Sequence, residues 1–226
     1  MGNFSLKFDK FWETFIKYNG YVKVLEGLKN TLTIAVLGLI IGIVIGTLIA
    51  TARVIPQYKV LPRILNKICS FYVALFRGTP IVVQLLVFYY VLLPLMGSRM
   101  TGIQVAVMVF GLNSAAYISE IMRGGIMSVD SGQMEAGRAV GLSFGTTMLK
   151  IVIPQAVKNI LPTMGNELIA LIKDTSVVSF VGATDLYVAF SFIGSSNYEF
   201  MVPYLVMALI YIVLVLIISF AIKLME

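Results

Sequence analysis

Five long apolar stretches alternate with short polar connections along the chain. They cover residues 31–52, 68–96, 102–122, 157–181 and 200–222. A helix of about 20 mainly apolar residues is long enough to cross the hydrocarbon core of a bilayer. The pattern therefore predicts an all-α, polytopic membrane protein with five transmembrane helices.

Residues 1–30 follow a different pattern, in which aromatic residues alternate with lysines and acids. Phe8, Phe11, Trp12 and Phe15 fall on one face of a helix at this spacing. That arrangement is typical of a helix lying in the membrane interface, where aromatic rings sit at headgroup level. We therefore divide the chain into an amino-terminal amphipathic interfacial segment, 1–30, and a transmembrane domain, 31–226. The alternative for the first segment is a polar tail.

Glycines recur at every fourth position of the first apolar stretch, at Gly38, Gly42 and Gly46. Because glycine has no side chain, this spacing leaves a bare helix face that allows another helix to approach closely. The sequence thus predicts a tight helix–helix contact here. The alternative is that glycine is simply tolerated in a lipid-facing helix.

Basic residues are concentrated in two connections. The segments 53–77 and 123–158 together carry nine lysines and arginines, whereas the turn at 97–101 carries only Arg99. Cytoplasmic loops are enriched in such residues, so the N-terminus is predicted outside and the C-terminus inside. The net charge of +6 is then explained by cytoplasmic loops, and we predict no binding of nucleic acid.

The composition also excludes several kinds of chemistry. With 59% hydrophobic and 12% charged residues, the chain has too little charge for a soluble domain, which carries roughly 25%. It has no histidine and one cysteine, Cys69, so histidine-based metal sites and internal disulfides are not expected. It also lacks the GxxxxGK[ST] motif of a P-loop. We predict no catalytic residue, no metal site and no cofactor bound by this chain.

Polar residues lie on one face of two predicted spans. Asn113, Tyr117 and Glu120 share a face of the third span, and Thr163, Glu167, Ala170 and Asp174 share a face of the fourth. Ionisable groups inside a bilayer are costly, so such faces either pack against each other or line a passage. Both interpretations stay open for Asn113 and Tyr117. For Glu167 the passage is favoured, because its own helix offers no basic neighbour, while Glu120 can pair with Arg123.

The candidate substrate-binding residues come from these faces and from the polar end of the fourth span. They are Asn113, Tyr117, Glu120, Thr163, Asn166, Glu167, Asp174, Thr175 and Ser176.

An ordered polar segment, EAGRAVGLSFGTTMLKIVIP at 135–154, separates the third and fourth spans. Gly137, Gly141 and Gly145 recur every four residues, which on a continuous helix predicts one nearly bare face. Pro154 is predicted to end this helix, since proline cannot donate the next backbone hydrogen bond. From chemistry alone the segment is either an ordinary surface helix or a docking site for another protein.

This segment resembles the EAA loop of binding-protein-dependent ABC importer permeases. Glu135, Ala136, Gly141, Ile151 and Pro154 fall at the spacing of that motif, while Gly137 and Ile153 replace its second alanine and its leucine. The stretches FRGTP at 76–80, AYISEIMRGGIMSV at 116–129 and IKDTS at 172–176 resemble the polar amino-acid subfamily.

The resemblance implies the type I ABC importer permease fold and a cytoplasmic coupling loop at about 126–156. The coupling residues would be Glu135, Ala136, Gly137, Gly141, Leu142, Ser143, Gly145 and Pro154. It also implies ATPase subunits that hold ATP and magnesium, an extracytoplasmic amino-acid-binding protein, and a location in the cytoplasmic membrane.

A second permease subunit is expected as well, in a homodimer, because closed twofold assembly is common and one chain is small for enclosing a pathway. The acids Glu120, Glu167 and Asp174 hint at a basic amino acid as substrate. The alternatives are a secondary amino-acid transporter and a membrane scaffold subunit without ATP coupling. The first would show repeated halves, which the sequence lacks, and the second would not need acids within the spans.

Overall fold

The computed structural model describes residues 4–225, which are almost entirely helical and include no strand. We number the helices in chain order. They are α1 (Phe4–Lys17), α2 (Gly20–Val54), α3 (Val60–Gly78), α4 (Ile81–Leu95), α5 (Gly102–Met127), α6 (Ser131–Ala139), α7 (Phe144–Val181), α8 (Leu186–Asn197) and α9 (Met201–Met225). Helix α4 contains a π-helical turn at Phe88–Leu92, and α7 contains another at Met148–Val152 and a 3-10 turn at Thr175–Val181.

Three helices, α2, α5 and α9, are each long and apolar enough to cross a membrane. Two further candidates are bent pairs: α3 and α4 meet at 106°, and α7 and α8 meet at 58°. Counting each pair as one span gives five, as the apolar pattern predicts. The second span is nevertheless not a single helix as its sequence suggests, because it breaks at Thr79 and Pro80. The first spanning helix also begins earlier than expected, at Gly20.

The glycine face of α2 packs directly against α5, which confirms the predicted close contact. An added Cβ at Gly42 would lie 2.7 Å from Ser114 Oγ, and one at Gly46 would lie 2.9 Å from the Ala115 carbonyl oxygen. Any side chain at these positions would force the two helices apart. The glycines are therefore required by packing and are not merely tolerated in lipid.

Helix α1 packs against the rest of the protein and also exposes aromatic residues on the protein surface. Phe11 is buried in an apolar cluster with residues of α2, α8 and α9, whereas Trp12 is exposed. Lys7 pairs with Glu199 at 3.2 Å, and Asn197 donates a 2.8 Å hydrogen bond to the Lys10 carbonyl. The single aromatic face predicted from sequence is thus divided between protein contact and exposure.

The connections between spans gather at two opposite ends of the helix bundle. At one end Asn30 donates to the Thr184 carbonyl at 2.8 Å, which joins the start of α2 to the segment before α8. At the other end Arg53 is ion-paired with Glu120, and Asn159 donates to Ser128 Oγ at 2.8 Å. The two connections rich in basic residues therefore leave the bundle at the same end, which also holds α6.

Candidate substrate cavity and coupling segment

A cavity of about 620 Å³ opens where the break between α3 and α4 faces α5 and α7. Such a volume is within the usual range of small-molecule sites. Its lining combines backbone at the break with polar side chains from the two facing helices. The lining residues are Arg77, Gly78, Thr79, Pro80, Ile81, Asn113, Tyr117, Glu167, Ala170, Leu171 and Asp174.

The break itself is held by a small network of amide groups. Pro80 cannot donate a backbone hydrogen bond, so carbonyls at the end of α3 need other partners. Gln84 Nε2 supplies them, donating to the carbonyl oxygens of Phe76 at 2.8 Å and Thr79 at 3.0 Å. Asn113 Nδ2 in turn donates to Gln84 Oε1 at 3.0 Å. Asn113 therefore packs against the break and also lines the cavity.

The acidic residues of the cavity belong to α7. Glu167 and Asp174 are two turns apart on one helix face, and both line the cavity. Ser114 of α5, which is fully buried, donates to Glu167 Oε1 at 2.9 Å and so fixes the position of this carboxylate. Glu167 therefore lines the cavity, and its contact with a transported substrate stays a prediction.

The basic side is formed by Arg77, the penultimate residue of α3. Its guanidinium lies over the ring of Tyr117, 5.3 Å from the ring centroid. A cation over an aromatic face is stabilised by the ring quadrupole. The cavity thus presents one positive side chain and two acidic ones to the same space.

Glu120 lies outside this lining and is surrounded by arginines. It is ion-paired with Arg53, with Arg123 at 2.9 Å and with Arg77 at 3.9 Å. The predicted pairing with Arg123 is present. Because its carboxylate is already bound by three cations, we correct its assignment from substrate contact to an ionic link between α2, α3 and α5.

Four other candidates also lie outside the cavity lining. Thr163 donates to the Asn159 carbonyl of its own helix at 3.4 Å, and the buried Thr175 donates to the Ile172 carbonyl at 2.7 Å. The remaining two are Asn166 and Ser176. On the face that the 3.6-residue period predicts for this helix, Glu167, Ala170 and Asp174 reach the cavity, and only Thr163, at the N-terminal end of the face, lies outside it.

Sequence reasoning missed the contribution of the segment from Arg77 to Ile81 to the cavity. A signal was present in FRGTP, since an arginine beside a helix-breaking proline inside a span is unusual. What the sequence could not provide was the direction of the bend, which turns this segment towards α5 and α7.

The segment at 135–154, for which coupling is predicted, is a helix–turn–helix and not one continuous helix. Glu135, Ala136 and Gly137 belong to α6, which ends at Ala139. Gly141 has φ of +87°, and Leu142 donates to the Gly137 carbonyl at 3.1 Å while Gly141 donates to the Arg138 carbonyl at 3.0 Å. This is a Schellman arrangement, in which glycine adopts the left-handed conformation that ends a helix.

The predicted bare face of three glycines is therefore wrong. Gly137 is covered, because a Cβ there would lie 2.9 Å from Thr147 Oγ1, whereas Gly145 faces open space. Ser143, between the two helices, accepts a hydrogen bond from the Thr146 amide at 3.2 Å and so caps α7.

Pro154 does not end the segment either. It follows the π-helical turn at Met148–Val152 and stands in the first turn of the α-helical stretch that begins at Ile153. A proline at that position loses no hydrogen bond that an α-helix would make, so α7 continues through it.

Comparisons with known proteins agree with this architecture. Residues 38–226 match the family described as binding-protein-dependent transport system inner membrane component. The chain is 40% identical over 203 residues to the arginine transport system permease protein ArtQ of Bacillus subtilis (strain 168), with 90% of each chain covered. It is 36% identical to the glutamine transport system permease protein GlnP of Escherichia coli (strain K12), covering 90% of this chain and 91% of that one.

Solved structures show the same fold. An amino acid ABC transporter crystallised with histidines matches at a TM-score of 0.85 and 36% identity, covering 94% of this chain and 96% of that chain. The inward-facing MetNI methionine ABC transporter matches at a TM-score of 0.73 and 21% identity, covering 89% and 94%. The chain belongs to the family of inner membrane components of binding-protein-dependent transport systems, as a multi-pass permease with the type I importer fold.

Proposed function

We propose that this chain is the transmembrane subunit of an ATP-driven importer of polar amino acids, with a preference for basic ones. The relatives named above for arginine and glutamine transport support the amino-acid class. Membership of the permease family favours this function over the secondary transporter and the scaffold considered from the sequence.

The main support for the proposal is the arrangement of positive and negative side chains that line the cavity. Arg77 offers one positive group, and Glu167 and Asp174 offer two negative ones. A basic amino acid has the complementary set, with one carboxylate, one α-ammonium and one cationic side chain. Charged hydrogen bonds between such groups are stronger than neutral ones. A substrate with a neutral side chain would leave one of the two acids without a partner.

Coupling to ATP hydrolysis is proposed through α6 and the turn that follows it. The backbone around Gly141 is exposed, and the apolar Val140 beside it has 77% of its surface accessible. An exposed apolar side chain at the end of a short, well-capped helix suits docking into a groove of a cytoplasmic ATPase subunit, which would hold ATP and magnesium. Motion of that subunit would then rotate the spans and give alternating access.

The assembly follows from the same proposal. Two permease subunits, which we take as two copies of this chain, would close the cavity around a twofold axis. An extracytoplasmic binding protein would deliver the amino acid at the end that holds α1 and α8. The opposite end, with the basic connections and α6, would face the cytoplasm.

The test is Glu167→Gln in the complete transporter reconstituted with its ATPase and binding protein. This change keeps the side chain's shape and removes its charge. Losing one charged contact costs about 1.5–3 kcal/mol, so the preference for arginine over glutamine should fall about tenfold or more. Competition of labelled arginine uptake by lysine, histidine and glutamine measures this order.

The matched control is Glu26→Gln, which removes an exposed acid from α2 outside the cavity. It should leave the preference order unchanged. If Glu167→Gln also leaves the order and the half-saturation unchanged, Glu167 does not contact substrate. If it lowers only assembly or thermal stability, its role is structural.

A further inference from the structure

The first turns of α3 carry a row of unpaired cations. Lys59 is the N-cap residue immediately before the helix, and Arg63 and Lys67 follow at intervals of four residues, so the three cations lie along one side of the helix start. All three are exposed. None of them takes part in a salt bridge within residues 4–225, and no acid occurs between residues 53 and 67.

Large apolar residues beside this row are also exposed. Val60 and Leu61 are 70% and 66% exposed, and Ile68 is 60% exposed. The residues of α3 that are buried in the protein are Val73 and Phe76, in its second half. Within residues 4–225, the start of α3 thus leaves both its cations and its large apolar side chains exposed.

We propose that this part of α3 is a binding surface for the headgroups of anionic phospholipids. Its apolar residues would lie among acyl chains, and the three cations would contact lipid phosphates. From Lys59 to Lys67 the row rises about 12 Å along the helix, and long basic side chains can extend towards the headgroups. A basic cluster next to a membrane span attracts anionic lipid with about 1 kcal/mol per residue.

The position of the three cations in the helix bundle indicates which end of the protein would contact these lipids. Arg53, shortly before the row, is ion-paired with Glu120 near the end of α5, and α6 follows that end. The lipid surface and the coupling segment therefore lie at the same end of the protein. Because the face joins cations to continuous apolar area and offers no acid, it matches an anionic bilayer surface better than a protein groove of mixed charge.

The test uses tryptophan fluorescence in the full-length chain, which contains a single tryptophan, Trp12. Trp12→Phe combined with Tyr58→Trp moves this reporter next to the row, at a position that is 91% exposed. The protein is placed in vesicles containing either brominated phosphatidylglycerol or brominated phosphatidylcholine as quencher. We expect stronger quenching by the anionic lipid, and loss of that difference in 0.5 M salt, where the Debye length falls to about 4–5 Å.

The row is then removed by Lys59→Gln, Arg63→Gln and Lys67→Gln in the reporter background. The preference for brominated phosphatidylglycerol should fall about tenfold or more, given the contribution of each basic residue.

The matched control removes the same charge from the opposite end, by Lys10→Gln, Lys29→Gln and Arg99→Gln, and should retain the preference. Circular dichroism checks that each variant is folded, and the single change Lys67→Gln replaces the triple variant if that variant unfolds.

Three results would overturn the proposal. Equal quenching by both lipids in the reporter protein would mean that no anionic lipid is enriched there. Equal loss of preference in the row variant and the control would indicate a general charge effect. A reporter quenched by neither lipid would show that a protein, such as a second copy of the chain, covers this face.

Discussion

Gly42→Ala should disturb both the packing of α2 on α5 and the acidic side of the cavity. The new methyl group would lie 2.7 Å from Ser114 Oγ, 2.8 Å from Ser114 Cβ and 3.1 Å from Ile118 Cδ1. Ser114 is fully buried, so it cannot move aside without shifting the helix that carries it. Overpacking of this kind costs about 1–3 kcal/mol.

The second effect follows from the hydrogen bond that Ser114 donates to Glu167. If Ser114 is displaced, the carboxylate loses a contact worth about 1.5–3 kcal/mol for a charged acceptor. Gly42→Ala should therefore lower the melting temperature and also raise the half-saturation for uptake of basic amino acids. Ser114→Ala, which removes only the hydroxyl, should reproduce the second effect with a smaller loss of stability.

Gly38→Ala is the matched control on the same helix face. Its Cβ would meet Phe110 Cβ at 3.2 Å, so the two helices would have to separate by only a few tenths of an ångström, and the new methyl group would not displace the hydroxyl that donates to Glu167. Melting temperature is measured by size-exclusion chromatography of heated samples, and uptake is measured in reconstituted vesicles. Equal losses for Gly38→Ala and Gly42→Ala would refute the argument, as would a destabilised Gly42→Ala transporter with unchanged half-saturation.

Two further predictions concern the orientation and the coupling turn. Single cysteines at Ser128 and Ser195, in a Cys69→Ser background, should react with an impermeant thiol reagent from opposite sides of the membrane; reaction of both from outside would contradict the proposed orientation. Gly141→Ala should strain the turn by about 1–2 kcal/mol, because its φ is +87°, and should reduce uptake coupled to ATP hydrolysis. Gly145→Ala places its methyl group in open space in α7 and should not reduce coupled uptake. Equal uptake by the two variants would exclude a special role for the turn.

Regular patterns along the chain are the features that the sequence predicts well. Spans are determined by the length of apolar runs, since the bilayer acts as a solvent of fixed thickness. The glycine face of α2 is also predictable, because residues four apart on a helix always share a face. For the same reason the helical period alone places Glu167 and Asp174 on one side of the fourth span.

Local backbone geometry is harder to predict from the sequence. Gly137, Gly141 and Gly145 have the spacing of a helix face, yet Gly141 lies in the turn after one helix and Gly145 lies in the first turn of the next. A four-residue period does not distinguish a helix from two short helices joined by a left-handed glycine. The prediction for Pro154 is wrong for a similar reason, because the π-helical turn before it leaves no sequence signal.

The sequence by itself thus determined the membrane-spanning character and the helix faces within the spans, since each depends on residues close together in the chain. Only the tertiary structure decided which polar residues share one cavity. The 106° bend between α3 and α4 brings Arg77 to the acids of α7, while three arginines from three helices withdraw Glu120 from the site. Apart from the Glu120–Arg123 pair within α5, which the sequence predicts, these pairings depend on distances between helices far apart in the chain, which periodicity along one helix cannot encode.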